Sequence, residues 1–144
     1  MHVADILKRK GSAVITVRPD QSIEHLAQRL RAERVGAAIV SEDGATVDGI
    51  ISERDVSHGL AVHGVAITNL TVADLMTKGV VTCSPDDTIA HVARVMTQRR
   101  IRHLPVTVGQ ELAGIVSVGD VVKHRLDELE LEANVLRDYA VSRQ

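Results

Sequence analysis

Gly49-Ile-Ile-Ser-Glu-Arg-Asp55 decides the reading of this chain, because sixty-five residues later it returns as Gly114-Ile-Val-Ser-Val-Gly-Asp120. Each copy is a short apolar strand ending at a serine that can start a helix, with an aspartate three residues further on. At such a strand-to-helix turn the first backbone N–H groups lack partners and carry the positive end of the helix dipole, so the place suits an anion such as phosphate. The aspartate can accept from a pair of hydroxyls. Ser-x-x-Asp is also close to a capping box, in which the serine satisfies the third helical N–H and the acid reaches back to the N-cap. The two roles can coexist. Two copies at the same point of a repeated unit, each after a Gly-hydrophobic-hydrophobic strand, favour a ligand role.

The rest of the chain repeats around these two copies. Val3-Ala-Asp-Ile-Leu7 and Val72-Ala-Asp-Leu-Met76 open the two halves. Val14-Ile-Thr-Val17 matches Val80-Val-Thr-Cys83, β-branched runs that read as strands and are closed by Arg18-Pro-Asp and Ser84-Pro-Asp. Ser22 and Thr88 follow as N-caps, with Ile23, Leu26, Ala27 and Leu30, and Ile89, Val92, Ala93 and Met96, at helical spacing behind them. Gly36-Ala-Ala-Ile-Val40 corresponds to Arg102-His-Leu-Pro-Val106, and turns carrying Asp43-Gly44 or Gly109 lead to the strands that deliver the two serines. The unit is β-α-β-β-α taken twice. A half of about 60 residues buries a meagre core alone, so the halves are expected to pack sheet against sheet as one α+β globule.

Composition sets the outer limits. The 144 residues are 44% hydrophobic, enough for a real core and incompatible with disorder. A net charge of −2 and 1% aromatic residues leave neither a basic field nor a base-stacking platform for nucleic acid. Cys83 is the single cysteine, reads as a small buried hydrophobe, and fits a reducing cytosol. The first ten residues lose apolar character too early for a signal peptide, and no run approaches the ~20 apolar residues of a membrane span, so a cytoplasmic location is expected. His58 and His63 lie in the stretch that joins the halves, with no third ligand nearby, and read as surface histidines rather than a metal site.

From Asp120 the second half departs from the first, because its last helix runs to the end of the chain. Val122, Leu126, Leu129, Ala133, Leu136 and Ala140 are spaced 4, 3, 4, 3, 4, a heptad seam flanked by Glu128, Glu130, Glu132 and Arg137. The seam packs either on the protein's own body or on a second copy; a helix ~30 Å long overreaches so small a domain, which favours the second copy.

In order and duplication these segments resemble a tandem pair of CBS domains, named after cystathionine β-synthase, together called a Bateman module. The carriers are Val72-Ala-Asp-Leu-Met76, Val81-Thr-Cys-Ser-Pro-Asp86, Arg102-His-Leu-Pro-Val106 and the two Gly-x-x-Ser-x-x-Asp segments, and the likeness runs from Val3 to about Arg125. The chain is most similar to short stand-alone bacterial proteins that consist of this pair. The resemblance implies repeats at 1–66 and 67–126, a helical extension at 127–144, and pseudo-two-fold symmetry. It also implies two clefts between the repeats that take adenosine-containing ligands such as AMP, ADP, ATP, NAD(H) or S-adenosylmethionine.

By that resemblance, Asp55 of the first cleft holds the ribose hydroxyls and Ser52 lies near the ribose or phosphate. Thr82, Ile89, His103, Leu104 and Pro105 border the adenine there, with Ile50 behind it. In the second cleft Ser117 and Asp120, preceded by Ile115, take the same parts against Thr16, Ile23, Gly36, Ala37 and Ala38. The clefts differ: the first has Arg54 beside its aspartate and faces Arg100, Arg102 and His103, and guanidinium matches phosphate oxygens well. The second has Gly119 and Gly36-Ala-Ala at the matching places, so a nucleotide phosphate is expected in the first cleft, and the second is expected to prefer adenosine or to stay empty.

Enzymatic activity is not expected, since the chain has no Gly-x-Ser-x-Gly elbow, no His-Glu-x-x-His and no phosphate loop ending in Gly-Lys-Ser/Thr. No catalytic residue, catalytic cofactor or metal is therefore assigned. The leading expectation is a homodimeric regulatory module that senses an adenine nucleotide, pairs through its CBS faces and the last helix, and reports to a partner protein. The alternative is a scaffold with vestigial clefts that works through its last helix. A membrane-surface role for that helix is disfavoured by its acidic polar face.

Overall fold

In the computed structural model, which describes residues 1–142, the chain forms two small sheets and six α-helices. Helix α1 (Val3–Lys10) leads to β1 (Thr16–Val17), α2 (Ile23–Glu33), β2 (Ala37–Val40), β3 (Gly49–Ser52) and α3 (Glu53–His63). A 3₁₀ segment (Gly64–Asn69) and α4 (Val72–Leu75) carry the chain into α5 (Ile89–Arg99), β4 (His103–Val108), β5 (Glu111–Ser117) and α6 (Val118–Ser142). Ser22 accepts from the His25 N–H at 3.0 Å and Thr88 from the His91 N–H at 3.1 Å, so both expected N-caps start their helices. Behind them Ile23, Leu26 and Leu30, and Ile89, Val92 and Met96, form the buried stripes.

In the first sheet β2 is central, parallel to β1 and antiparallel to β3, with Ala37 opposite Ser52 and Val40 opposite Gly49. In the second, β4 and β5 are antiparallel, with His103 opposite Ser117. The strand expected over Val80–Cys83 is not formed: it is reduced to one parallel bridge, in which the Cys83 N–H donates to Pro105 O and Cys83 O accepts from Thr107, both at 2.9 Å. The preceding residues are held elsewhere. Thr77 exchanges backbone hydrogen bonds with Ile50 of β3, so Lys78–Thr82 is spent crossing from one sheet to the other. The matching run Val14–Val17 shrinks to Thr16–Val17 for a similar reason, because α1 ends against the other half.

That crossing is the main feature of the packing. Val3 and Ile6 of α1, both 0% exposed, join Ile89, Val92, Met96, Leu104, Val106, Val116 and Val121 in the second core. Val72 of α4 and Ile67 before it join Val17, Leu26, Leu30, Ala38, Val40 and Ile51 in the first. Each opening segment thus lies in the other half's core. The glycines of the two repeated strands make room for it: an added Cβ at Gly114 would stand 2.7 Å from Leu7 Cδ2, and one at Gly49 would stand 2.9 Å from the Thr77 carbonyl oxygen.

Helix α6 buries Val121 and His124 near its start. It is clamped to α1 by ion pairs, Arg9 to Asp127 at 2.9 Å and Lys10 to Asp120 at 2.8 Å. From Leu129 to Ser142 every residue is exposed, and so are Val122 and Leu126. The heptad seam therefore does not pack on the protein's own body.

Candidate functional site

Both Ser-x-x-Asp segments form capping boxes. At the start of α3 the Ser52 N–H and Oγ–H donate to Asp55 Oδ2 at 2.9 and 3.1 Å, and the Asp55 N–H donates to Ser52 Oγ at 3.4 Å. At the start of α6 the Ser117 N–H donates to Asp120 Oδ2 at 2.9 Å and the Asp120 N–H to Ser117 Oγ at 3.2 Å. Only Oδ2 is engaged in each case. Among the described residues no donor reaches Oδ1 of either aspartate, so one oxygen fixes the helix start and the other can accept from a ligand hydroxyl.

A cavity of about 230 Å³ opens over the first box. Ile50, Ser52, Arg54 and Asp55 come to it from β3 and α3, and Arg102 and His103 from the approach to β4. Of the first-cleft residues expected from sequence, those six line it. The other four do not: Ile89, Leu104 and Pro105 are buried in the second half, and Thr82 faces a separate hollow with Cys83 and Leu104. Glu53, Thr77 and Ile101 line the cavity without having been singled out in the sequence. Thr77 arrives through the crossing segment, which the repeat pattern does not reveal.

Three guanidinium groups stand together here. Arg54, Arg100 and Arg102 border the first cavity and a second hollow of about 350 Å³ that continues between α5 and α6. Among the described residues none of the three has an ion-pair partner, and Asp55 has none either. The positive end of the α3 dipole adds to the same field. The site can hold an anion beside a carboxylate oxygen able to take hydroxyls.

The second box is arranged differently. A cavity of about 340 Å³ is lined by Gly36, Ala37, Ile115 and Ser117, as the sequence reading expects, and also by Lys10, Arg34 and the His103 ring. Ala38 and Ile23 lie in the first core, 0% and 3% exposed, and Thr16 does not border the cavity. Asp120 does not border it, and Lys10 Nζ donates to Asp120 Oδ2 at 2.8 Å. Burial works to raise the Asp120 pKa, but the Lys10 hydrogen bond, the Ser117 N–H and the Lys10 charge outweigh it and leave the carboxyl below its ordinary value. Arg34 was missed in the sequence, although the repeat aligns it with Arg100. Lys10 was not legible, because its approach depends on the exchange of α1.

His103 and Gly36 form the wall between the cavities, and a methyl group added at Gly36 would stand 3.6 Å from the His103 ring. Burial, helped by Lys10 and Arg102, holds the imidazole pKa below its ordinary value against the opposing pull of Glu53 and Asp120. Cys83 is remote from this chemistry, and burial followed by the Asp87 charge pushes its thiol up to about 12.

With this geometry in place the likeness to known proteins can be stated. The family model described as the CBS domain matches twice, at residues 3–62 and 72–127. A CBS domain-containing mitochondrial protein of Arabidopsis thaliana is 30% identical over 95% of this chain and 70% of its own length. A CBS-domain-containing protein of Agrobacterium tumefaciens superposes with a TM-score of 0.84 at 43% identity, covering 87% of this chain and 99% of that one. The CBS domain pair of protein MJ0100, crystallised with 5′-methylthioadenosine and S-adenosylmethionine, superposes at 0.75 with 26% identity over 85% of this chain and 98% of its own. Two matches of the model, in two halves that each place a Gly-x-x-Ser-x-x-Asp strand-to-helix turn at a cleft, establish that this chain belongs to the CBS-domain family as a tandem pair, a Bateman module.

Proposed function

We propose that this chain is a regulatory module, not an enzyme, that binds an adenine nucleotide (AMP, ADP, ATP or NAD(H)) in the cleft over Ser52 and Asp55. The observation that carries this reading is the group of three guanidiniums, Arg54, Arg100 and Arg102, which have no ion-pair partner among the described residues and stand on the cavity that Asp55 lines. Asp55 Oδ1 takes the ribose hydroxyls, and the arginines take the phosphate. Adenine lies against Ile50 and Ile101, with no Phe, Tyr or Trp in the cleft to stack on it. The MJ0100 pair was crystallised with 5′-methylthioadenosine and S-adenosylmethionine, which present the same adenosine. Here the arginine field disfavours a sulfonium cation and favours phosphate.

A ligand spanning both repeats favours one arrangement of the halves only by its differential affinity for it. The change passes to a second copy across α6 and the exposed apolar residues Leu60 and Val62 of α3 and Val118 and Val122 of α6. Among the described residues no helix is long and apolar enough to cross a membrane. A cytoplasmic site of action and a regulated partner protein belong to the same proposal. The scaffold reading draws on one observation, the fully exposed end of α6.

Calorimetric titration with AMP, ATP, NADH and S-adenosylmethionine tests the proposal on wild type, Asp55→Ala and Asp120→Ala. Binding of the phosphorylated ligands that is lost in Asp55→Ala and kept in Asp120→Ala is the expected result. Loss only in Asp120→Ala moves the site to the other cleft, and no heat with any of the four from protein purified empty overturns the proposal.

A further inference from the structure

Beside its apolar seam the last helix carries a charge pattern that neither cleft uses. Val121 and His124 turn one face of α6 into the body, while Val122, Leu126, Leu129, Ala133, Leu136 and Ala140 are exposed on a face roughly a third of a turn round the helix. A partner can therefore lie along the seam without displacing the body. With Leu129 and Leu136 at d positions of the heptad and Leu126, Ala133 and Ala140 at a, the seam is flanked by Lys123, Glu130 and Arg137 at e and by Arg125 and Glu132 at g. Glu130, Glu132 and Arg137 are exposed, and none of them has an ion-pair partner among the described residues. Arg125 meets Glu128 at 2.7 Å and keeps further N–H donors for a second carboxylate.

We propose that α6 pairs with α6 of a second copy as a parallel, in-register coiled coil. In a parallel pair each g residue faces the next e residue of the other helix. Arg125 then faces Glu130 of the second copy and Glu132 faces Arg137, and the two-fold axis makes each of these opposite-charge pairs twice. An antiparallel pair that covers the whole seam sets Val122 against Ala140, Leu126 against Leu136 and Leu129 against Ala133. It brings Glu130 against Glu130 and Glu132 against Glu132 at its centre, and like charges there are destabilising. Sliding that pair by one heptad removes the clash, but it strips the cover from either Leu136 and Ala140 or Val122 and Leu126. The parallel pair alone covers all six seam residues and matches every flanking charge from Arg125 to Arg137. Both bodies then lie at one end of the pair, and the Ser117 turns that start the two helices come to the same level.

Orientation and charge matching are tested separately on the full chain. In Ala140→Cys a parallel pair sets the two new thiols side by side, whereas the antiparallel pair that covers the seam holds them about 27 Å apart. Mild oxidation is therefore expected to link Ala140→Cys into a covalent dimer on a non-reducing gel. Asp138→Cys, on the outer face of the same turn, is the control and stays unlinked; the native Cys83 is buried and takes no part. Sedimentation equilibrium reads the charges. Glu132→Lys sets a cation against Arg137 of the second copy and is expected to weaken self-association about tenfold, and adding Arg137→Glu to the same chain restores it to within about twofold of wild type. In the antiparallel pair that covers the seam Glu132→Lys replaces one like-charge contact by another and changes little. A dimer that Ala140→Cys fails to link, a Glu132→Lys chain that associates as tightly as wild type, or a wild type that does not self-associate each overturns the proposal. None of the substituted residues lines a cleft, so the nucleotide-binding proposal stands or falls on its own titrations.

Discussion

Arg34 and Arg100 hold the same uncomfortable backbone. They cap α2 and α5 in the left-handed region, at φ 56° and 55°, and are the two positive-φ residues of the described chain that are not glycine. Glycine usually takes such a C-terminal position, because a Cβ there costs about 1 kcal/mol. At equivalent points of both repeats, where the side chains border the two clefts, that cost is consistent with a site where charge is worth more than stability. Arg100→Gly is therefore expected to raise the melting temperature by roughly 2–4 °C and to weaken AMP about tenfold in the first cleft while leaving adenosine alone. Differential scanning calorimetry and AMP and adenosine titrations read the two effects. Unchanged AMP binding would remove Arg100 from the phosphate site. At this scale the two serines and aspartates were legible because both copies carry them in full. Arg34 was missed, although the repeat aligns it with Arg100. Lys10 had no signal, since nothing in Lys8-Arg-Lys10 says which carboxylate a folded chain will bring to it.

Among elements, the exchange of α1 and α4 decides which residues can meet. Amphipathic spacing shows that Val3 and Ile6 need burial, but it is silent on which sheet supplies it, so the helices and their caps were readable and the exchange was not. The strand expected over Val80–Cys83 failed for the same reason: its β-branched residues suit a ladder, but the bonds between Thr77 and Ile50 start the chain from the wrong sheet. The repeated glycine is explained by the exchange, as a point where each opening segment leaves no room for a Cβ on the other half's strand. Ile6→Ala tests it. Ile6 is 0% exposed in the second core, so the substitution should cost about 2–5 kcal/mol by urea denaturation. Amide exchange should then speed up first in β4, β5 and α5. Val72→Ala should loosen β2 and β3 instead. Faster exchange in β2 and β3 from Ile6→Ala would contradict the packing.

For the molecule as a whole, the open question is what covers α6. The helix runs 25 residues, about 38 Å if straight, and only its first turns are held by the body. Leu129 and Leu136 are 46% and 68% exposed on a seam whose 4-3 spacing has the period a two-stranded coiled coil requires. The seam has the spacing a partner helix of the same kind would need, and a second copy would supply one. Light scattering is expected to give twice the 15.6 kDa chain mass for the wild type and a single chain mass for Leu129→Lys combined with Leu136→Lys. Each cleft draws on both repeats of one chain, and neither Leu129 nor Leu136 lines a cleft, so the monomeric variant should keep its AMP affinity within about twofold. What it should lose is any dependence of one copy's binding on the other. A wild type that runs as a single chain would leave the seam for a different protein, and the scaffold reading would then take precedence over the sensor for α6 while the clefts keep their own test.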